Sequence, residues 1–225
     1  MPDRTAPASA ATGLQRRLSA DELRASLEAT LARWDRRSAL WVFGYGSLIW
    51  KPEFDHDRRV PARVHGYHRK LCLRSIRYRG TFECPGLVAG LDRGGSCAGI
   101  AYRMPVSAVH AHLPALWERE MFMGSYDAHW LRVRRLDAGG GEVRALAFVV
   151  RRDAPNYCGR LPEDEILAVL TRACGVYGSS LDYLQRTVAA LRADGLRDPH
   201  LERLAALAAA RLAAGRIDRA TGEPD

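Results

Sequence analysis

The stretch that most constrains the fold is Trp41-Val42-Phe43-Gly44-Tyr45-Gly46-Ser47-Leu48-Ile49-Trp50. Its first half is an apolar run, which suits a buried strand. The run then meets two glycines around a tyrosine, followed by a serine. Glycine is needed where φ turns positive or where another group must approach the backbone closely. A buried strand ending in such a turn leaves successive backbone N–H groups free, and these form a nest for an anion such as a carboxylate. Taken alone, Gly-x-Gly equally describes a strand that ends in a tight turn.

The rest of the chain has the size of one globular domain. Its 225 residues, 47% of them apolar, bury roughly 70% of the unfolded surface. No segment approaches ~18 uncharged apolar residues, so no membrane span is expected. The opening MPDRTAPASAATG lacks the apolar stretch of a secretory signal. The formal charge of +8 is carried almost wholly by arginine. The arginines form no run of five or more and interleave with no aromatic platform, so nucleic acid is not an expected partner. A diffuse positive field would still draw in an anionic small molecule. Cys72, Cys84, Cys97, Cys158 and Cys174 are odd in number and hold no Cys-x-x-Cys spacing. That argues against a disulfide framework or zinc ribbon and for a reducing, cytoplasmic compartment.

Residues 1–18 read as a flexible tail. Ser19 and Glu22 have capping-box spacing, which predicts a helix from about Ala20 to Trp34 with Leu23, Leu27 and Leu31 on one face. After the glycine turn, Lys51 to Asp57 reads as a loop and Val60 to Leu73 as one or two strands. Arg74 to Pro85 is a polar, arginine-rich loop. Gly86 to Leu91 and Ala98 to Met104 read as strands joined in a hairpin by Asp92 to Ser96. Val106 to Met123 is helical in period, with Pro114 as a kink or second start. His129 to Leu136 and Val143 to Val150 form a second hairpin. Helices follow over Glu163 to Cys174, Ser180 to Ala193 and Pro199 to Ala214, with Gly175, Gly195 and Gly215 as stops. This order argues for an α+β fold, and the hairpins imply a largely antiparallel sheet.

One acid stands out. Leu113, Leu116, Trp117 and Glu120 share one helical face, whereas Glu118, about 200° away from Glu120, points to solvent. A carboxyl on a buried face is costly unless paired or protonated. Desolvation raises its pKa towards working pH, which suits a general acid/base. The alternative is an edge position paired with Arg119 or Arg103.

Two motifs carry a family resemblance. VFGYGSLIW (Val42 to Trp50), and the pair Arg119-Glu120 shortly before Gly124-Ser125-Tyr126, resemble the ChaC-like, glutathione-specific γ-glutamylcyclotransferases. Weaker matches lie at Gly99 to Arg103, Arg79 to Thr81, Pro85-Gly86 and Asn156 to Gly159, and the resemblance covers roughly Leu40 to Leu191. It implies a γ-glutamylcyclotransferase-like fold, a mixed, largely antiparallel β-barrel or sheet with flanking helices. Because the glycine strand often opens the chain in that family, residues 1–38 read as an N-terminal extension and 39–225 as the domain.

The resemblance also implies the reaction. The free α-amine of a γ-glutamyl group attacks its own γ-carbonyl, releasing 5-oxoproline and, from glutathione, cysteinylglycine. No cofactor, metal or protein nucleophile is expected. Glu120 is the implied catalytic group. Gly44, Tyr45, Gly46, Ser47, Leu48 and Ile49 would bind the γ-glutamyl carboxylate or the developing oxyanion, and Tyr126 and Tyr157 are candidates for hydrogen bonds to substrate. Glutathione is the expected partner. Other γ-glutamyl amines, or a non-catalytic binding or cation-transport-regulating protein on the same scaffold, are the alternatives.

Rival chemistries lack their residues. Ser47 is not in a Gly-x-Ser-x-Gly elbow. Cys84 is a lone loop cysteine. His110 and His112 diverge on a helix, as His65 and His68 do on a strand, and neither pair makes a metal site. No phosphate-loop or dinucleotide fingerprint is present.

Overall fold

The computed structural model describes residues 17–221, with side chains to residue 214. The first helix, α1 (Ala20–Leu31), starts at the expected capping box: Ser19 Oγ accepts from the Glu22 N–H, and Glu22 accepts from the Ser19 N–H. It is shorter than its apolar period predicts. Trp34 nevertheless reaches the core beyond it, and Leu23, Leu27 and Leu31 pack against the same cluster. The expectation for residues 1–16 lies outside the described residues.

Five strands follow the element order β1 (Leu40–Gly44), β2 (Arg58–Ser75), β3 (Gly86–Met104), β4 (Tyr126–Arg135) and β5 (Glu142–Val150). They close a barrel in the order β1-β3-β2-β4-β5. All sequential pairings in that order are antiparallel, and β5 returns parallel to β1 through Trp41↔Ala145 and Val42↔Leu146. The fold is thus mixed and largely antiparallel, with helices on its outside.

One expectation is overturned. Asp92 to Ser96 makes no hairpin turn; β3 runs straight through it for 19 residues. The stretch lies opposite β2, where His65 pairs with Ser96 and Tyr67 with Arg93, so Gly66 faces two residues, Gly94 and Gly95. All three adopt positive φ. These glycines build a bulge that bends a two-stranded ribbon, and the chain reverses instead in the loop 76–85. A turn and a bulge need the same local residues, which is why the sequence did not separate them. The second register shift, between Leu71 and Leu73, likewise interrupts the in–out alternation of a strand and buries Leu71, Cys72 and Leu73 in succession.

Strand alternation sorts the core. Phe43, Val60, Ala62, Val64, Ala145 and Ala147 belong to the cluster inside the barrel, where small side chains suit a five-stranded interior. Their alternates, among them Val42, Ile100, Tyr102, Leu146 and Phe148, pack outward against α2 (Val106–Met121) and α1. A third cluster joins Leu71, Leu87 and Ala89 to the helices α3 (Glu163–Arg172), α4 (Ser180–Ala193) and α5 (Pro199–Thr221).

Of the glycines expected to stop helices, only Gly195, with φ +69°, does so. Gly175 lies instead in a short hairpin, β6 (Cys174–Gly175) and β7 (Gly178–Ser179), and α5 continues past Gly215.

Candidate active site

The glycine turn follows β1 directly. Gly44 and Gly46 are required by close approach, not by positive φ. A Cβ on Gly44 would lie 3.0 Å from that of Leu48, and one on Gly46 would lie 2.8 Å from the Tyr183 hydroxyl. Ser47–Ile49 then form a single 3₁₀ turn. Within it Ile49 N–H donates to Gly46 O and Trp50 N–H to Ser47 O, at 3.0 and 3.2 Å. The first N–H groups of a helical turn have no partner inside it. Those of Ser47 and Leu48 accordingly donate to no backbone acceptor among the described residues.

The turn is held from behind. The Tyr102 hydroxyl bridges the carbonyls of Leu48 and Ile49 at 2.9 and 3.0 Å. The Tyr45 hydroxyl donates to the Phe148 carbonyl at 2.7 Å, so its proton is already used inside the protein. Arg69, which the sequence did not single out, is buried below the turn. It donates to the Tyr45 carbonyl at 2.5 Å, to the Ala98 carbonyl, and to Asp198 at 2.6 Å. Asp198 caps the first turn of α5 through the Leu201 N–H, so the C-terminal helix is tied to the glycine loop.

Glu120 comes from the last turn of α2, where Leu113, Leu116 and Trp117 are buried and Glu118 is exposed. Its side chain is 13% exposed. Burial raises its pKa above the ordinary carboxylate value, Arg119 opposes the shift, and Glu53 adds to it. Of the two expected pairings, Arg119 is found, with Nε 3.2 Å from Glu120 Oε1, while Arg103 pairs with Asp57. The same Arg119 guanidinium donates to Ser47 Oγ at 3.0 Å, Lys51 O at 2.7 Å and Glu53 at 2.8 Å. One side chain thus connects the acid to the glycine turn.

Both open onto one cavity of about 840 Å³. Its wall includes Tyr45, Gly46, Ser47, Leu48, Glu120 and Tyr126. Gly44 and Ile49 flank the turn behind that wall. Tyr157 is not on it; its hydroxyl donates to the buried Asp92 at 2.8 Å. Its neighbour Asn156 does line the cavity and accepts from Ser125 Oγ at 3.1 Å. Tyr183 of α4 also lines the cavity and was not legible in advance. Its hydroxyl accepts from the Ala89 N–H at 3.2 Å, leaving its own proton available to a bound molecule. Burial pushes the Tyr183 phenol up to about 12 and holds that of Tyr126 well above its ordinary value, with Glu120 the next contributor for Tyr126. Both are therefore neutral donors at working pH.

Among the described residues no cluster of His, Cys, Asp and Glu has the arrangement of a metal site, no helix is long and apolar enough to cross a membrane, and all five cysteines are free thiols.

The closed five-stranded barrel with helices on its outside is a γ-glutamylcyclotransferase fold. A yeast γ-glutamylcyclotransferase specific to glutathione has a crystal structure that superposes with a TM-score of 0.70, at 23% identity, over 78% of this chain and 97% of that one. The family model described as ChaC-like protein matches residues 40–211. The chain is 34% identical over 186 residues to the glutathione-specific gamma-glutamylcyclotransferase of Escherichia coli (strain K12), covering 83% of this chain and 80% of that protein. It is 37% identical over 169 residues to glutathione-specific gamma-glutamylcyclotransferase 1 of Mus musculus, covering 73% and 75%. The chain belongs to the ChaC-like protein family.

Proposed function

We propose that the protein is a glutathione-specific γ-glutamylcyclotransferase acting in the cytoplasm, with Glu120 as its general base and acid. The observation that carries the reading is the Arg119 bridge, which sets a desolvated carboxyl at a fixed place relative to the free N–H groups of the glycine turn. The relatives' names support the reaction, and the free thiols support a reducing compartment.

In this mechanism Glu120 takes a proton from the α-ammonium of the γ-glutamyl group. The freed amine attacks the γ-carbonyl, a carbon–nitrogen bond closes the five-membered ring, and the original amide bond breaks. Glu120 returns the proton to the departing nitrogen. Glutathione thereby becomes 5-oxoproline and cysteinylglycine with every atom accounted for and no water consumed. Ser47 and Leu48 N–H groups bind an anionic oxygen of the γ-glutamyl part, and the Tyr183 hydroxyl donates a further hydrogen bond. Holding the chain folded on itself supplies an orientation effect that exceeds the proton transfer, which is worth roughly 10²–10⁴ in rate.

The test is direct. Purified protein is incubated with glutathione and, separately, with γ-glutamylalanine, and 5-oxoproline is quantified beside Glu120→Gln. Product from glutathione alone, lost about 10²–10⁴-fold in the variant, fits the proposal. Product from both compounds points to a general γ-glutamyl amine cyclotransferase. Absence of product from folded protein refutes catalysis and leaves a binding protein on the same scaffold.

A further inference from the structure

The outer wall of the cavity is made where two distant segments are joined. Val176 N–H donates to the Arg77 carbonyl at 3.0 Å and Tyr177 N–H to the Tyr78 carbonyl at 2.9 Å. Gly175 permits the approach, since a Cβ there would lie 2.5 Å from the Arg77 oxygen and 2.6 Å from the Tyr78 carbonyl carbon. The junction stacks Tyr78 on Tyr177 with centroids 5.0 Å apart and planes within 3°. Both rings stay open to solvent, 40% and 60% exposed. A cation sits against each: the Arg77 guanidinium 5.7 Å from the Tyr78 centroid, and Lys51 Nζ 5.2 Å from that of Tyr177. All four residues line the cavity that holds Glu120.

The charges on this wall are not balanced. Arg79 and Arg186 share the single carboxylate of Asp182 at 2.7 and 3.0 Å. Lys51 and Arg119 both lean on Glu53, at 3.0 and 2.8 Å. Arg77 is exposed and has no carboxylate partner among the described residues. A solvent-exposed aromatic stack serves no core, and a guanidinium resting on it keeps its fork free for a ligand. The ring face also restricts the arginine before anything binds, which lowers the ordering cost of a bidentate contact to a carboxylate.

We propose that Arg77, seated on the Tyr78–Tyr177 stack, is a specificity subsite for a carboxylate at the far end of the leaving group. The inference rests on the cyclotransferase reading and deepens it. With the γ-glutamyl half held between the glycine turn and Glu120, the amine that leaves extends along the cavity towards this wall. The favoured leaving group is then a short peptide with a free C-terminal carboxylate, as the cysteinylglycine half of glutathione is. The loop N–H groups and Arg77 would each meet one of the two carboxylates of that substrate.

The experiment compares glutathione with its glycinamide form, in which the terminal carboxylate is a carboxamide, on wild type, Arg77→Gln and Arg77→Lys, with 5-oxoproline as the readout and circular dichroism as the fold check. Wild type should favour the acid over the amide by about tenfold in kcat/KM, mostly through KM, the size of a charge-assisted hydrogen bond discounted for exposure. Arg77→Gln should bring the ratio close to one, and Arg77→Lys should retain part of it because the charge survives without the fork. Equal use of acid and amide by wild type, or an unchanged ratio in Arg77→Gln, overturns the subsite while the cyclotransferase reading stands. No 5-oxoproline from either compound overturns both.

Discussion

Gly46→Ala adds one methyl group and tests how α4 supports the glycine turn. That methyl would stand 2.8 Å from the Tyr183 hydroxyl, inside the 3.0 Å that real Cβ contacts keep. Tyr183 has little room to retreat. It is 5% exposed, packs in the cluster of Leu87, Ala89 and Leu184, and accepts the Ala89 N–H at 3.2 Å. Overpacking of this kind costs roughly 1–3 kcal/mol, and displacing the hydroxyl from the Ala89 N–H adds about 1 kcal/mol. The expected loss is therefore about 2–4 kcal/mol. Tyr183→Phe alone should lose roughly 1–3 kcal/mol, because a buried N–H is left without its acceptor. In the double variant the methyl occupies space the oxygen has left, so the losses should fall short of additivity by at least about 1 kcal/mol. Urea unfolding of the four proteins measures this cycle, with unchanged m-values as the control for compactness. The kcat/KM of Gly46→Ala should drop about 10²-fold, the scale expected when positioning groups shift by a fraction of an ångström to one ångström. Losses that add within ~0.3–0.5 kcal/mol would refute the contact.

Three other predictions follow from buried charge. Burial raises the Glu120 pKa above 4.5, so the folded state holds that proton more tightly than the unfolded chain does. The resulting stabilisation is complete below the unfolded value and is lost as pH rises through the folded one. Glu120→Gln should therefore melt no lower than wild type at pH 7, with its advantage shrinking as pH falls towards 4.5; a lower melting temperature at pH 7 would contradict the desolvation argument. The kcat/KM of wild type should decline as pH drops through the same raised pKa, because the base must be ionised. Arg69→Met removes the guanidinium that donates to Asp198 and to two carbonyls, and leaves Asp198 with the Leu201 N–H alone. Denaturant unfolding should show a loss of about 3 kcal/mol, the lower end for a broken buried pair because the Asp198 side chain is 20% exposed. Arg69→Lys should recover part of it, and full recovery would argue that only the charge matters.

The strand entering Gly44-Tyr45-Gly46-Ser47, the capping box at Ser19, the apolar stripe of α2 and the odd carboxyl upon it are all legible in the sequence. Each is a periodicity or spacing within about a dozen residues, and the physics that reads it is equally local. The same local physics misassigned Asp92 to Ser96, since a bulge and a turn ask for the same glycines and only pairing across the ribbon distinguishes them. The family resemblance, and not local physics, grouped Tyr157 with the site, through Asn156 to Gly159. The fold turns Asn156 to the wall and hands the Tyr157 hydroxyl to Asp92. Tyr183, Arg69 and Arg77 carry no signal of their own in the chain, where tyrosines and arginines are scattered. They acquire roles because the closed barrel and the elements docked on it bring groups 94 to 129 residues apart within a hydrogen bond of one another, Tyr183 to Ala89 and Arg69 to Asp198 among them. Sequence determined the kind of turn and the kind of acid this protein has. Tertiary structure decided which arginines and tyrosines surround them, because burial, and not residue type, fixes which polar groups must find partners.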